Sequence, residues 1–144
     1  MGIRETLQDA LVEANNERHN RHGIVQNLDG RLIDLKANLQ RAQTQKAGVG
    51  MLHEATELKY RELLNHSNGL TDQAARGALA PEIEKLSLEV NTMTGNLQHA
   101  GEVVWQWQRQ VTQAETEHAS AQINLEIATD RWEQIKKQIE DLNR

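Results

Sequence analysis

The chain has 144 residues, of which 38% are hydrophobic and 3% aromatic, and it contains no Phe and no Cys. This composition cannot fill a wide globular core but suffices for a narrow interface between helices, and the missing thiols exclude disulfides and cysteine metal sites. A formal net charge of -5 disfavours binding to duplex nucleic acid, which requires a basic surface.

Residues 3–66 are predicted to form the first of two long helices. Apolar side chains recur there at alternating spacings of three and four residues, the pattern of a coiled coil. The predicted seam comprises Leu7, Leu11, Ala14, Arg18, Arg21, Val25, Leu28, Leu32, Leu35, Leu39, Ala42, Lys46, Val49, His53, Thr56, Tyr60 and Leu63. We expect the stems of Arg18 and Arg21 to follow the seam. Their charges would then reach Glu126 and Asp130 of the second helix and set the register.

Residues 67–81 are predicted to connect the two helices. An Asn-Gly pair ending at Gly69 is a signal for a turn and a helix end. Thr71 or Asp72 is expected to cap a short helical turn. Pro81, the only proline, suits the first turn of the second helix, because its missing N–H costs nothing there.

Residues 82–143 carry the most regular pattern and are predicted to form the second helix. Its seam comprises Ile83, Leu86, Val90, Met93, Leu97, Ala100, Val104, Trp107, Val111, Ala114, His118, Ala121, Leu125, Ala128, Trp132, Ile135, Ile139 and Leu142. His118 is its only polar member and is predicted to set the register. Two seams of similar length around a short connector predict an all-α fold, in which residues 1–144 form a single antiparallel coiled-coil hairpin. In this register Ala14 should lie near Trp132.

Two pairs of glycines lie in the predicted helices, Gly48 and Gly50 in the first and Gly95 and Gly101 in the second. The antiparallel register brings these two pairs near each other. Each glycine weakens a helix by up to about 1 kcal/mol relative to Ala. One interpretation is a bend or a close approach of the two backbones, and the other is a set of neutral glycines.

A second apolar strip outside the seam is predicted to contact other proteins. On the second helix it runs through Trp105, Thr112, Thr116, Ala119, Ile123 and Ile127, and Val12 and Ile33 lie off the seam of the first. Exposed apolar strips on a coiled coil usually mark a partner surface or self-association. The alternative is packing within the chain, if the first helix is divided into shorter helices of a three- or four-helix bundle.

No catalytic, cofactor or metal site is predicted. Glu115-x-x-His118 has the spacing of carboxylate-bridged di-iron bundles, but those sites need a second such motif and two further Glu residues. Neither a Ser-His-Asp grouping nor a phosphate-binding glycine loop is present. No apolar run approaches the roughly 20 residues that span a bilayer, and the N-terminal residues show no signal-peptide pattern. We therefore expect no membrane insertion and favour a cytoplasmic location.

Four parts of the sequence are similar to the flagellar and type III secretion export-stalk family of FliJ- and YscO-like proteins. They are residues 60–62, residues 69–71, residues 108–115, and the pair Trp132 and Leu142. The resemblance implies a helical stalk that sits in the ring of an export ATPase and handles chaperones of exported proteins. The acidic balance and the longer spacing before Trp132 depart from that family.

Residues 59–64 followed by Thr71 also resemble the α-hairpin tip of periplasmic membrane-fusion adaptors, and residues 123–125 resemble its returning helix. That resemblance implies a tip, formed by Leu64, Leu70 and Thr71, that docks an outer-membrane channel. The lipoyl and barrel segments that flank such hairpins are absent. The chain would then be a fragment of a periplasmic protein.

The predicted function is a non-enzymatic coiled-coil assembly or stalk protein of a larger complex, such as a secretion or export apparatus. The alternatives are the tip-docking adaptor hairpin and a structural protein of a phage or another large assembly. Partners are expected to be proteins, including a second copy of the chain. They would bind Trp105, Ala119, Ile123 and Ile127 in the strip, or Leu64, Leu70 and Thr71 at the tip.

Overall fold

A computed structural model describes residues 2–144 of the chain. Helix α1 spans Ile3–Gly69 and helix α2 spans Gln73–Leu142, and the two pack against each other. The predicted all-α helical hairpin is therefore confirmed. Because α1 is continuous, the alternative of a bundle of shorter helices is excluded.

The buried side chains follow the two predicted seams. The core consists of Ala14, Val25, Leu35 and Ala42 on α1, and Val111, Ala114, Ala121 and Ala128 on α2. Every other predicted seam residue is half-buried except Lys46 and Leu142. Leu142 belongs to the last turn of α2, where helices fray. The 3.5-residue repeat in the sequence of each helix thus identifies the face along which the two helices meet.

The hairpin separates into two compact units, each containing part of both helices. The first unit contains the described residues up to Lys36 together with Arg109–Arg144, and the second contains Ala37–Gln108.

Within the first unit the helices run in opposite directions. Arg31 Nη1 lies 3.7 Å from Glu117 Oε2, whereas the Arg18 guanidinium lies 4.0 Å from the centre of the Trp132 ring. An earlier position on α1 therefore meets a later position on α2. Trp132 was expected opposite Ala14, so the predicted register agrees to within about one helical turn.

The second unit shows the same antiparallel order. His53 Nε2 lies 3.0 Å from Thr94 Oγ1, and a Cβ placed on Gly50 would lie 3.8 Å from Leu97 Cδ1. A Cβ on Gly101 would lie 3.9 Å from Lys46 Cε. The expected proximity of the glycine-containing stretches is confirmed.

The connector is shorter than the predicted residues 67–81. α1 ends at Gly69, as the Asn-Gly signal predicted, but α2 begins at Gln73, so Pro81 lies inside α2 and not in its first turn. An interior proline removes one backbone hydrogen bond and costs about 3 kcal/mol. The helix continues because the preceding stretch, residues 74–80, is rich in alanine, the strongest helix former.

The four glycines are not required by packing. A Cβ on Gly48 or Gly95 would meet nothing within 4 Å, and a Cβ on Gly50 or Gly101 would make ordinary van der Waals contact. No glycine among residues 2–144 has a positive φ, and both helices run through these positions without interruption. The expectation of a close backbone approach is therefore wrong, whereas a bend at these glycines stays a prediction.

Alanine at Gly48 or Gly95 is expected to raise the free energy of unfolding by up to about 1 kcal/mol, because it removes backbone freedom from the unfolded chain without a steric clash. Urea unfolding followed by circular dichroism measures the change. Gly30→Ala is the matched control, since a Cβ there also meets nothing within 4 Å and the position lies outside the two glycine pairs. A loss of stability in Gly48→Ala and Gly95→Ala would show that the glycines support a bend.

Candidate functional site

The exposed apolar face of α2 in the first unit is the main candidate surface. We call it the outer strip and define it as Thr112, Thr116, Ala119, Ile123 and Ile127. All five are exposed, and the side chains of Ile123 and Ile127 are 56% and 62% exposed. Because residues three and four apart share a helix face, these positions line up on the side of α2 that faces away from the seam.

The Thr116 hydroxyl group of the outer strip is satisfied within the helix. Thr116 Oγ1 donates a hydrogen bond to the carbonyl oxygen of Thr112 over 3.1 Å. The polar atom is thereby directed towards the helix backbone. The cost of covering this face with another apolar surface is correspondingly lower, because the donor keeps its partner.

Two charged residues bound this face, Arg109 before the outer strip and Glu126 within its last turn. Of the exposed residues that flank the strip, Gln113 and Ser120 are uncharged, whereas Glu115 is acidic. Gln113 Nε2 approaches Glu117 Oε1 at 3.5 Å along one edge. The residues of the strip itself are uncharged, with a cation at one end and an anion at the other.

Val12, Ile33 and Trp105, the other apolar residues predicted to lie off the seam, are exposed but are not part of the outer strip. Val12 and Ile33 are 62% and 67% exposed, but they lie on α1, roughly six turns apart. Trp105, in the second unit, is 59% exposed, whereas Trp107 in the seam is half-buried. The predictions that Trp105 lies outside the seam and that Trp107 lies in it are confirmed.

The hairpin tip is closed by a contact that the sequence did not indicate. Arg76 Nε and the backbone N–H of Leu70 both donate hydrogen bonds to the carbonyl oxygen of Ser67, each over 3.1 Å. Ser67 is buried, Leu64 and Leu70 are half-buried, and Thr71 is exposed. Of the three residues predicted to form a docking tip, only Thr71 is exposed.

Asp72 caps α2, which decides between the two predicted capping residues. Its Oδ1 accepts a hydrogen bond from the backbone N–H of Ala74 over 3.0 Å. Replacing Asp72 with Ala is expected to lower the free energy of unfolding by about 1 kcal/mol, because the N–H group loses its partner.

Urea unfolding checks the loss, and Asp72→Asn is the control because its side-chain oxygen still caps a helix. Equal destabilisation by Asp72→Ala and Asp72→Asn would show that the carboxylate charge matters and not the cap.

The expected contacts of the two seam arginines with Glu126 and Asp130 are wrong. Arg18 Nη2 donates to Asn15 Oδ1 over 2.8 Å, and its guanidinium stacks on Trp132. Arg21 Nε pairs with Glu17 Oε1 over 2.9 Å on its own helix. A planar guanidinium gains from an aromatic face, and a Glu four residues before an Arg is a favourable helical pair.

His118, the polar residue of the α2 seam, contacts α1. Its Nε2 lies against the Asp29 carboxylate, although this buried nitrogen has no hydrogen bond of acceptable geometry among the described residues. The neighbouring Arg31–Glu117 contact also joins the two helices. One stretch of the seam thus concentrates polar contacts between helices, and the role of Arg18, Arg21 and His118 in setting the register stays a prediction.

The grooves of the two units are open to solvent. In the first unit a groove of about 310 Å³ is lined by Arg18, His19, His22, Leu125 and Thr129. Within residues 2–144, no group of three or more His, Asp or Glu side chains is placed to hold a metal ion. The apolar surfaces are therefore stronger candidates for function than any cavity.

No family model matches the chain, and no curated protein or solved structure is significantly similar to it. Over the described part of the chain, neither helix contains a segment long and apolar enough to cross a membrane.

Proposed function

We propose that the chain is a structural component of a protein assembly, in which the hairpin presents the outer strip to another protein chain. The observation that supports this proposal is the exposure of Ile123 and Ile127 on the helix face opposite the buried seam. Single exposed apolar residues are common on protein surfaces, but two isoleucines one turn apart form a continuous contact area.

Covering these two side chains provides a driving force for association. Full burial of an isoleucine contributes about 1.5–3 kcal/mol, and more than half of each side chain is still accessible to solvent. Adjacent Ala119 and Thr116 are small, so another helix is able to approach α2 closely there. The strip therefore fits a helical partner better than a globular one.

Packing at the seam holds the outer strip in its helical conformation before a partner binds. Ala121 and Ala128, which flank Ile123 and Ile127 along the helix, are buried against α1. The strip is thus part of a helix that packing already holds in place, and association does not require the segment to fold first. Preorganisation of this kind lowers the entropic cost of binding.

The two family resemblances give narrower proposals of the same class. In the export-stalk proposal the hairpin sides contact the surrounding ring. In the adaptor proposal the tip makes the contact, and the exposure of Thr71 beside the Ser67–Arg76 closure supports that surface as the second candidate. A structural protein of a phage or another large assembly would use the outer strip in the same way.

The test of this proposal measures whether the chain co-sediments with its assembly in lysates of the cells that produce it. The variant that carries Ile123→Ser and Ile127→Ser is expected to leave the assembly, as measured by co-sedimentation. Ile33→Ser is the matched control, because it removes an isoleucine of similar exposure from α1.

A tip variant that carries Leu70→Ser and Thr71→Ser completes the set. Loss of the assembly only in the tip variant would replace the outer strip by the tip as the functional surface. If neither variant changes co-sedimentation while both remain folded, the proposed function is wrong.

A further inference from the structure

Building on the proposed function, we propose that the partner of the outer strip is a second copy of the chain. The two α2 helices would pack side by side in opposite directions, about a two-fold axis that passes between positions 117 and 118. Such an interface uses the same surface of both chains, as two-fold dimers do.

The first observation is a row of outward-facing residues on α2 whose middle members are uncharged. Arg109, Thr112, Thr116, Ala119, Ile123 and Glu126 follow one another at spacings of three, four, three, four and three residues. This is the same 3.5-residue period as the seam that packs on α1, but it lies on the outward face. Every helix face has positions at this spacing, and this one is distinguished by four consecutive uncharged members, Thr112, Thr116, Ala119 and Ile123, which a second helix is able to approach.

The second observation is the charge pattern of this repeat. Within the first unit this row begins with the cation Arg109, continues with four uncharged residues, and ends with the anions Glu126 and Asp130. Two antiparallel copies place Arg109 of each chain opposite Glu126 of the other. A parallel pair would instead place like charges together at both ends, so the pattern favours the antiparallel order.

Side-chain size supports the same register. With the axis between positions 117 and 118, Thr112 lies opposite Ile123 of the second copy, and Thr116 lies opposite Ala119. Each layer therefore combines a larger and a smaller side chain. A shift by one heptad would move Glu126 opposite Thr116, or Arg109 opposite Ala119, and would lose both charge pairs.

The size of the contact limits its strength. The repeat covers about five helical turns on one face, which places the interface at the small end of specific protein contacts. We therefore expect a dimer that dissociates on dilution. Sedimentation velocity over a range of concentrations should show this equilibrium directly.

Disulfide trapping tests the register, because the chain has no cysteine of its own. Variants Thr112→Cys and Ile123→Cys are prepared separately and oxidised alone or mixed. In the proposed dimer the two copies of position 112 are about 16 Å apart along the axis, too far for a disulfide, which needs Cα atoms within about 7 Å.

The mixture, in contrast, brings position 112 of one chain opposite position 123 of the other. We expect a covalent dimer from the mixture and little from either variant alone. Equal cross-linking in all three samples, or cross-linking in none, would overturn the register.

Charge reversal tests the orientation. Arg109→Glu and Glu126→Arg, each alone, would place like charges opposite each other at both ends and should weaken the dimer by about tenfold or more. The double variant, or an equimolar mixture of the two single variants, should restore dimer formation. Restoration in neither case would contradict the antiparallel pairing.

The outcome also separates this inference from the proposed function. A chain that stays monomeric at all accessible concentrations overturns self-association. If that monomer still enters a larger assembly through Ile123 and Ile127, the proposed function stands with a different partner.

Discussion

Replacing Ala114 with Asp should unfold most of the chain or lower its free energy of unfolding by more than about 3 kcal/mol. Ala114 is only 2% exposed and lies where α2 packs on α1. A carboxylate at this position would be removed from water without a designed counter-charge, and such burial costs several kcal/mol. That is a large share of a typical stability of 5–15 kcal/mol.

Gln113→Asp is the matched control for this change. Position 113 is adjacent but exposed, so the same new charge should alter the free energy of unfolding by no more than about 0.5 kcal/mol. Urea unfolding followed by circular dichroism at 222 nm compares the two variants. Similar effects at positions 113 and 114 would show that α2 does not bury the seam face.

Replacing Leu35 with Ala is expected to lower the free energy of unfolding by at least about 2 kcal/mol. Leu35 is 8% exposed in the α1 seam, and its truncation loses buried apolar surface and leaves a cavity. Ile33, two residues earlier, is 67% exposed. Ile33→Ala should therefore stay within about 0.5 kcal/mol of the parent chain.

The same unfolding titration measures both α1 variants. A larger effect for Ile33→Ala than for Leu35→Ala would mean that α1 turns a different face towards α2. Circular dichroism before unfolding checks that each variant is helical at the start. The order of the two effects, more than their absolute size, is the decisive result.

The fold could be predicted because its main determinant is periodic. A 3.5-residue repeat specifies a helix, a buried face and a packing mode at once, and nearly every seam position of both helices is at least half-buried. The helix boundaries were harder to predict, because the cost of Pro81 in a helix interior competes with the helix propensity of its alanine-rich surroundings. The helix propensity of proline alone therefore does not predict where α2 begins.

The candidate surfaces were only partly predictable. The exposure of Ile123 and Ile127 followed from their position outside the seam. The contacts of Arg18 did not, because long side chains choose among several partners and Trp132 offers a flat face close to the guanidinium. The bond from Arg76 to the Ser67 carbonyl oxygen depends on a chain reversal that local sequence does not describe.

The brevity of the linker, only residues 70–72 between the two helices, has a thermodynamic consequence. It makes helix pairing an intramolecular step with a high effective concentration. A protease cut there would turn the same pairing into a bimolecular reaction between two peptides. Their melting temperature should then rise with peptide concentration, whereas that of a monomeric intact chain does not change.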